Sequence, residues 1–417
     1  MMGCVMVRFL FICIIGALTQ GAGFVKVNGP QMVLDGVPYK FVGTNYWYGM
    51  NLAMVSGDRG RLARELNNLS KAGVTNLRIM ASSEGPDTEP YRMLPPLQPS
   101  PGVYSEEVLI GLDFLLDKMR ERNLRAVLCL NNFWHWSGGF SQYVAWAEGG
   151  TIPYPPQKAD YDTFQEYAAR FYSNSLAREW YRKYVQVITS RINTVNGMAY
   201  RDDPTIMAWE MANEPRGASF TSDYLAWVEE TAGLLKKYAP NQLVTIGSEG
   251  TTPYQNTHTE VEKAHSIAGV DYLTYHIWTQ NWSIYNPKQP DTFNRAVSYA
   301  KEYSDEHLAI AAKLGKPAVL EEFGLARDDG GFSPHSTTVI RDKYFSSILD
   351  HLVGSNISGV AFWAYAGEGR PQNPGGEWRP GEVYIGDPPH EPQGWYSVYD
   401  HDVTTLEIFN QFGLWFR

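Results

Sequence analysis

Apolar runs of strand length alternate with helical patterns eight times along this chain, and that alternation limits its fold more than any other feature. The runs fall near Tyr39 to Thr44, Asn76 to Met80, Arg125 to Asn131, Ile206 to Ala212, Leu243 to Ser248, Tyr272 to Ile277, Ala318 to Phe323 and Gly359 to Ala364. Each is almost continuously apolar, as a strand covered on both faces must be. Helical patterns lie between them, among them Arg59 to Ala72, Glu106 to Arg122, Tyr161 to Thr194, Ser222 to Tyr238, Thr292 to Leu314 and Val339 to Leu352. Strands that alternate with helices imply a parallel sheet, and eight such units imply an α/β fold closed into a (β/α)8 TIM barrel. An open doubly wound sheet is the alternative, but no strand is followed by G-x-G-x-x-G or a phosphate loop. Before the first strand, Asn28-Gly29 and Asp35-Gly36 mark a short β-hairpin. The Gly/Pro-rich stretch from Gly367 to Pro392 reads as one long loop over the site, and no linker or repeat divides residues 24–417, which are read as one catalytic domain.

The first residues carry Arg8, an apolar run from Phe9 to Leu18 and then small residues at Gly21, Ala22 and Gly23. That run is too short to span a bilayer, so residues 1–23 read as a secretory signal peptide and the mature chain as secreted and extracellular. Cys4 and Cys13 fall in that segment, which leaves Cys129 alone and the fold resting on its core. A formal net charge of -10 argues against nucleic acid and anionic membranes as partners. The chain is read as a monomer. Its 13 Trp and 26 Tyr are enough to furnish, besides a core, a surface that stacks on flat neutral ligands such as sugar rings. Asn68, Asn281 and Asn356 each stand in an Asn-x-Ser/Thr sequon, candidate glycan sites if the chain passes through a glycosylating pathway.

The stretch AWEMANEPRG, Ala208 to Gly217, drives an apolar strand directly into Asn213, Glu214 and Arg216. A carboxylate at the end of a buried strand is expensive to desolvate and is solvated, paired or kept for chemistry. Residues past the C-terminal ends of barrel strands meet at the active face. Glu214 ends the fourth strand, and Glu322, in PAVLEEFG, ends the seventh across the barrel mouth. Two facing carboxylates are the equipment of glycoside hydrolysis. No metal or other cofactor is expected, since there is no H-E-x-x-H and the nine histidines show no ligand spacing.

WEMANEPRG, followed about a hundred residues later by VLEEFG, resembles glycoside hydrolase family five, a retaining clan of (β/α)8 barrels. The longer runs YRDDPTIMAWEMANEPRG and FWAYAGEGRP are similar to its endo-β-1,4-mannanase subfamily. The resemblance implies that Glu214 is the acid/base and Glu322 the nucleophile, acting on β-mannan polysaccharides. Alternation along a strand lets only one of Glu321 and Glu322 face the barrel axis. The family pattern selects Glu322 and leaves Glu321 a structural carboxylate. Arg78 resembles the arginine that bonds the nucleophile, Asn213 the residue that binds the sugar 2-hydroxyl, and His276 the histidine beside the acid/base. Trp278 stands where the family often has a tyrosine, which suggests a stacking surface. Trp363 resembles the floor under the cleaved sugar, and Arg216 either binds the leaving chain or pairs with a nearby acid. Trp47, Trp134, Trp136, Trp282 and Trp378 fall in loops after strands and point to an extended sugar groove. The alternatives are an endo-β-1,4-glucanase of the same family, a non-catalytic sugar-binding barrel and a transglycosylase.

Overall fold

All eight apolar runs form strands, and every residue of those strands is buried. A computed structural model of the chain describes residues 23–158 and 160–416, so the expected signal segment lies, but for Gly23, outside the described residues. Three short strands come first, β1 (Lys26–Asn28), β2 (Gln31–Leu34) and β3 (Val37–Pro38), paired antiparallel as the hairpin dipeptides require. The barrel follows with β4 (Phe41–Asn45), β5 (Asn76–Met80), β6 (Arg125–Cys129), β7 (Ile206–Glu210), β8 (Leu243–Thr245), β9 (Leu273–Ile277), β10 (Ala318–Phe323) and β11 (Ile357–Phe362). These eight pair in parallel in the order β8-β7-β6-β5-β4-β11-β10-β9. The remaining gap, between β8 and β9, is bridged by Asp271 N–H to Val244 O at 2.8 Å and His276 N–H to Glu249 O at 3.0 Å. The expected TIM barrel is therefore the observed one.

The N-terminal sheet plugs the bottom of the barrel. Val25, Met32 and Leu34 form one buried cluster with Val127, Met207, Leu243 and Val319 from the barrel strands. Helices cover the outside, and their starts are set by side-chain caps: Asp58 accepts from Arg61 N–H ahead of Arg59–Lys71, and Ser105 from Val108 N–H ahead of Glu106–Arg120. The single helix expected from Tyr161 to Thr194 is instead two, Tyr161–Ala169 and Ser175–Ser190, with one 3-10 turn between them. Asn174 is the cause, because its side chain accepts from the N–H groups of Leu176 and Ala177 and starts a new helix.

Two short strands, β12 (Tyr365–Gly367) and β13 (Val398–Tyr399), tie down the ends of the Gly/Pro-rich loop. Asp387 organises its interior, accepting from Gly394 N–H at 2.8 Å, Tyr396 N–H at 2.6 Å and the Ser397 hydroxyl at 2.6 Å. Asp402 anchors its far end through buried pairs with Arg327 and Arg341. Among the described residues no helix is long and apolar enough to cross a membrane.

Candidate active site

Beyond Glu210 the fourth strand runs on irregularly, with Asn213 N–H bonded to Asn131 O and Glu214 N–H to Gly247 O at 2.8 Å. Glu214 then takes a left-handed backbone conformation, φ 49°. Such a conformation costs a non-glycine residue roughly 1–3 kcal/mol and clusters at functional sites. The turn aims the carboxyl into a cavity at the barrel mouth. There Oε1 lies 2.7 Å from His276 Nδ1, and Oε2 accepts from Trp134 Nε1 at 2.6 Å.

Glu322 stands opposite, accepting from Arg78 Nη1. The same guanidinium donates to Glu210 at 2.6 and 2.8 Å, to Asn45 Oδ1 at 3.0 Å and to Asn213 Oδ1 at 2.8 Å, so its direction is fixed. One donor atom each of Glu214, His276 and Glu322 lies within 4.8 Å of the others. A cation would fit that spacing, but His276 Nδ1 is committed to Glu214 and Glu322 to Arg78, which makes this a hydrogen-bonded set rather than an open ligand cluster.

Burial pushes both facing carboxyls up, and Arg78 opposes it at Glu322 while Arg216 and the Trp134 bond oppose it at Glu214. Two such groups titrate as a pair, in which the first charge formed makes the second proton harder to remove. The direct Arg78 contact draws the negative charge onto Glu322 and leaves the proton on Glu214. Burial, followed by the Arg78 charge, holds His276 well below its usual range, so the ring beside Glu214 is neutral.

Alternation does not separate Glu321 from Glu322. The pairing of β10 with β9 slips between Leu320 and Glu322, a bulge that leaves Glu321 as an extra residue. A bulge breaks the two-residue period. Both carboxyls therefore turn inward, and Glu321 Oε2 lies 3.7 Å from Arg78 Nε.

The cavity has a volume of about 550 Å³, inside the range of small-ligand pockets. Trp134, Trp136, Trp278, Trp282 and Trp363 line it together with Asn213, Glu214, Arg216 and Glu322. Trp47 does not: it is buried behind Trp136, edge-on to it at 5.6 Å, with its Nε1 bonded to Gly386 O. Trp378 stacks on Tyr384 away from the cavity. Arg216 touches the cavity, with Nε and Nη2 gripping Glu249 and Nη1 donating to Gln165. Its guanidinium lies over the Trp134 ring at 4.9 Å, so of the two roles considered for it the geometry favours pairing. Arg78 and His276 stand behind the carboxylates rather than in the cavity wall.

Three acidic residues escaped the sequence reading. Glu210 is fully buried on Arg78, and Glu249 holds Arg216. The strand-end rule applied to IGSEG would have found the second. Glu391 carries no sequence signal at all: the long loop folds over the barrel and sets Pro388, His390, Glu391, Pro392 and Trp395 into the cavity wall. Those loop residues stand in one cavity wall with the aromatic side chains.

A glycosidic bond held between Glu214 and Glu322 would meet a proton donor on one side and a negative oxygen on the other, which makes the chain, on this barrel, a glycoside hydrolase. Comparison with known proteins narrows the class. A family model described as "GH family 5 beta-mannosidase-like" matches residues 22–414. A mannan endo-1,4-beta-mannosidase of Solanum lycopersicum is 32% identical over 366 residues, covering 83% of this chain and 82% of its own. The crystal structure of a glycoside hydrolase family 5 mannosidase from Rhizomucor miehei superposes with a TM-score of 0.88 at 42% identity, covering 95% of this chain and 98% of the other. A mutant of that enzyme, in complex with mannosyl-fructose, gives the same TM-score at 41% identity over 94% and 97%. The chain belongs to the family 5 mannosidase-like glycoside hydrolases.

Proposed function

We propose that the chain is a secreted, retaining endo-β-1,4-mannanase that hydrolyses mannan, glucomannan and galactomannan by double displacement. The observation that carries the stereochemical part is the spacing of the two carboxyls. One oxygen of Glu214 and one of Glu322 lie within 4.8 Å of one another, which supports a retaining pair, at about 5–5.5 Å, over an inverting pair spread across about 6.5–9.5 Å. Glu322 attacks the anomeric carbon while Glu214 passes its proton to the leaving oxygen. The ester formed removes the charge on Glu322, so Glu214 loses its proton more readily and takes one from the incoming water. The curated mannanase relatives support the substrate class. The intact Glu214, Glu322 and Arg78 set supports catalysis over a merely sugar-binding barrel.

A second reading, removal of residues from chain ends or cleavage of short oligosaccharides, is favoured by the loop. An internal bond needs a path for the polymer on both sides, and Pro388 to Trp395 wall part of the cavity. Galactomannan, glucomannan and carboxymethyl-cellulose should be treated with purified protein, with viscosity and reducing ends followed together. A rapid fall in viscosity on both mannans with little effect on cellulose supports the endo reading. Reducing ends that accumulate at nearly constant viscosity support end-trimming, activity mainly on cellulose overturns the substrate class, and silence on all three overturns hydrolysis.

A further inference from the structure

Behind Glu214 runs a chain of buried polar groups that the double displacement does not use. His276 Nδ1 faces Glu214, while its other nitrogen, Nε2, points at Glu321 Oε2, 3.6 Å away. Neither Nε2 nor that oxygen has a hydrogen-bond partner among the described residues, and both residues are almost wholly buried. Two orphaned polar atoms so placed are each other's partner, across a gap that a small side-chain rotation closes. The Glu321 carboxyl also faces that of Glu210, which in turn holds Arg78. Two carboxyls bond to each other only with a proton between them. Three carboxyls, Glu210, Glu321 and Glu322, pair with the one guanidinium of Arg78, so that proton also spares the site a surplus of negative charge.

We propose that Glu321 is a positioning residue: as a neutral carboxylic acid it gives its proton to Glu210 and accepts from His276 Nε2–H, which fixes the ring with a bare Nδ1 facing Glu214. A bare nitrogen 2.7 Å from a carboxylate is repulsive, whereas a protonated Glu214 donates to it. The chain of donors thus runs Glu214 to His276 to Glu321 to Glu210, and it holds the catalytic proton on Glu214. The other charged or titratable groups that face this chain are Arg216, Arg78, Glu249, Glu322 and Glu391 at Glu214, Arg78, Glu249 and Glu322 at His276, and Arg78, Glu322 and Tyr272 at Glu321. Burial and the neighbouring Glu210 push the Glu321 carboxyl well above its usual range, in keeping with a retained proton, while at Glu210 burial is outweighed by the Arg78 charge together with hydrogen bonds, and that carboxyl lies below its usual range.

The inference rests on Glu214 being the acid/base, and the test separates the two. The histidine tautomer is read directly by 15N NMR of the wild-type protein, with His276 assigned by its loss in His276→Asn; the expected state is protonated Nε2 and bare Nδ1. Alongside it, the pH profile of kcat/KM on mannobiose is measured for wild type, Glu321→Leu and Glu321→Gln. Leu releases the ring to protonate Nδ1, so the alkaline limb should move to lower pH by about one unit. Gln donates to Glu210 and accepts from Nε2–H, so its limb should stay with wild type. A protonated Nδ1 in the wild type overturns the inference, as does a Gln limb displaced as far as that of Leu, or a Leu limb unmoved. If Glu321→Leu does not fold, the tautomer decides. A wild type inert on every mannoside removes the acid/base reading, and the tautomer still decides whether Glu321 orients the ring.

Discussion

At the scale of single residues, two carboxyls with similar surroundings do different work. Glu322→Ala should abolish turnover of mannan and aryl mannosides, by about 10⁴-fold or more, with an unchanged circular dichroism spectrum and melting temperature; activity near wild type would remove Glu322 as nucleophile. Glu214→Ala should behave differently. An activated aryl mannoside needs no proton on its leaving group, so the first step should survive and the glycosyl-enzyme should accumulate as a burst, with added azide restoring turnover. Loss of the first step on such a substrate would contradict the acid/base role. The pH profile follows from the same pair. Burial raises both groups and Arg78 draws charge to Glu322, so activity should fall on the acid side as Glu322 protonates and on the alkaline side as Glu214 loses its proton. A profile with only one limb would mean that only one of the two titrates in the working range.

At the scale of elements, two connections shape the site. The loop between β12 and β13 depends on Asp387, whose carboxyl gathers Gly394, Tyr396 and Ser397. Asp387→Ala leaves two buried N–H groups unpaired, at about 1–3 kcal/mol each. The expected results are a lower melting temperature and a kcat/KM on short mannosides reduced at least tenfold, because Glu391 and Trp395 lose their positions in the cavity wall; unchanged kinetics with a lowered melting temperature would mean that the loop only stabilises. The helix Gly139–Glu148 begins on Glu84, whose Oε2 accepts from Gly139 N–H at 2.8 Å. Burial pushes this carboxyl up to about 8 from an ordinary 4.5, against that bond and the Arg92 charge. A group raised on folding contributes stability below its unfolded value and loses it as pH climbs through the folded one, here between about 4.5 and 8. Glu84→Gln should therefore raise stability at pH above 8 by on the order of a few kcal/mol while leaving it nearly unchanged near pH 4. Equal effects at both pH values in denaturant melts would contradict the buried, protonated state.

For the whole molecule, what was legible in the sequence follows from how each feature is encoded. The barrel was readable because a strand buried on both faces is mostly apolar, as these eight runs are, and every residue of the eight strands is buried. Glu214 and Glu322 were readable because a carboxyl at the end of such a run needs a reason. The inward turn of Glu321 was not, since a bulge arises from the mismatch between two paired strands and leaves no mark in either one alone. Trp47 was expected at the sugar and lies behind Trp136, because composition after a strand says nothing about which way a ring turns. Glu391 reaches the cavity only through a long loop whose path is set by distant anchors, Asp387 and Asp402. A double displacement with Glu322 as the attacking group leaves a covalent intermediate, which a 2-deoxy-2-fluoro-β-mannosyl fluoride would trap for sequencing of the labelled peptide by mass spectrometry. The account expects one fluoromannosyl adduct, on Glu322; an adduct on another residue, or none from an enzyme that turns the reagent over, would contradict it.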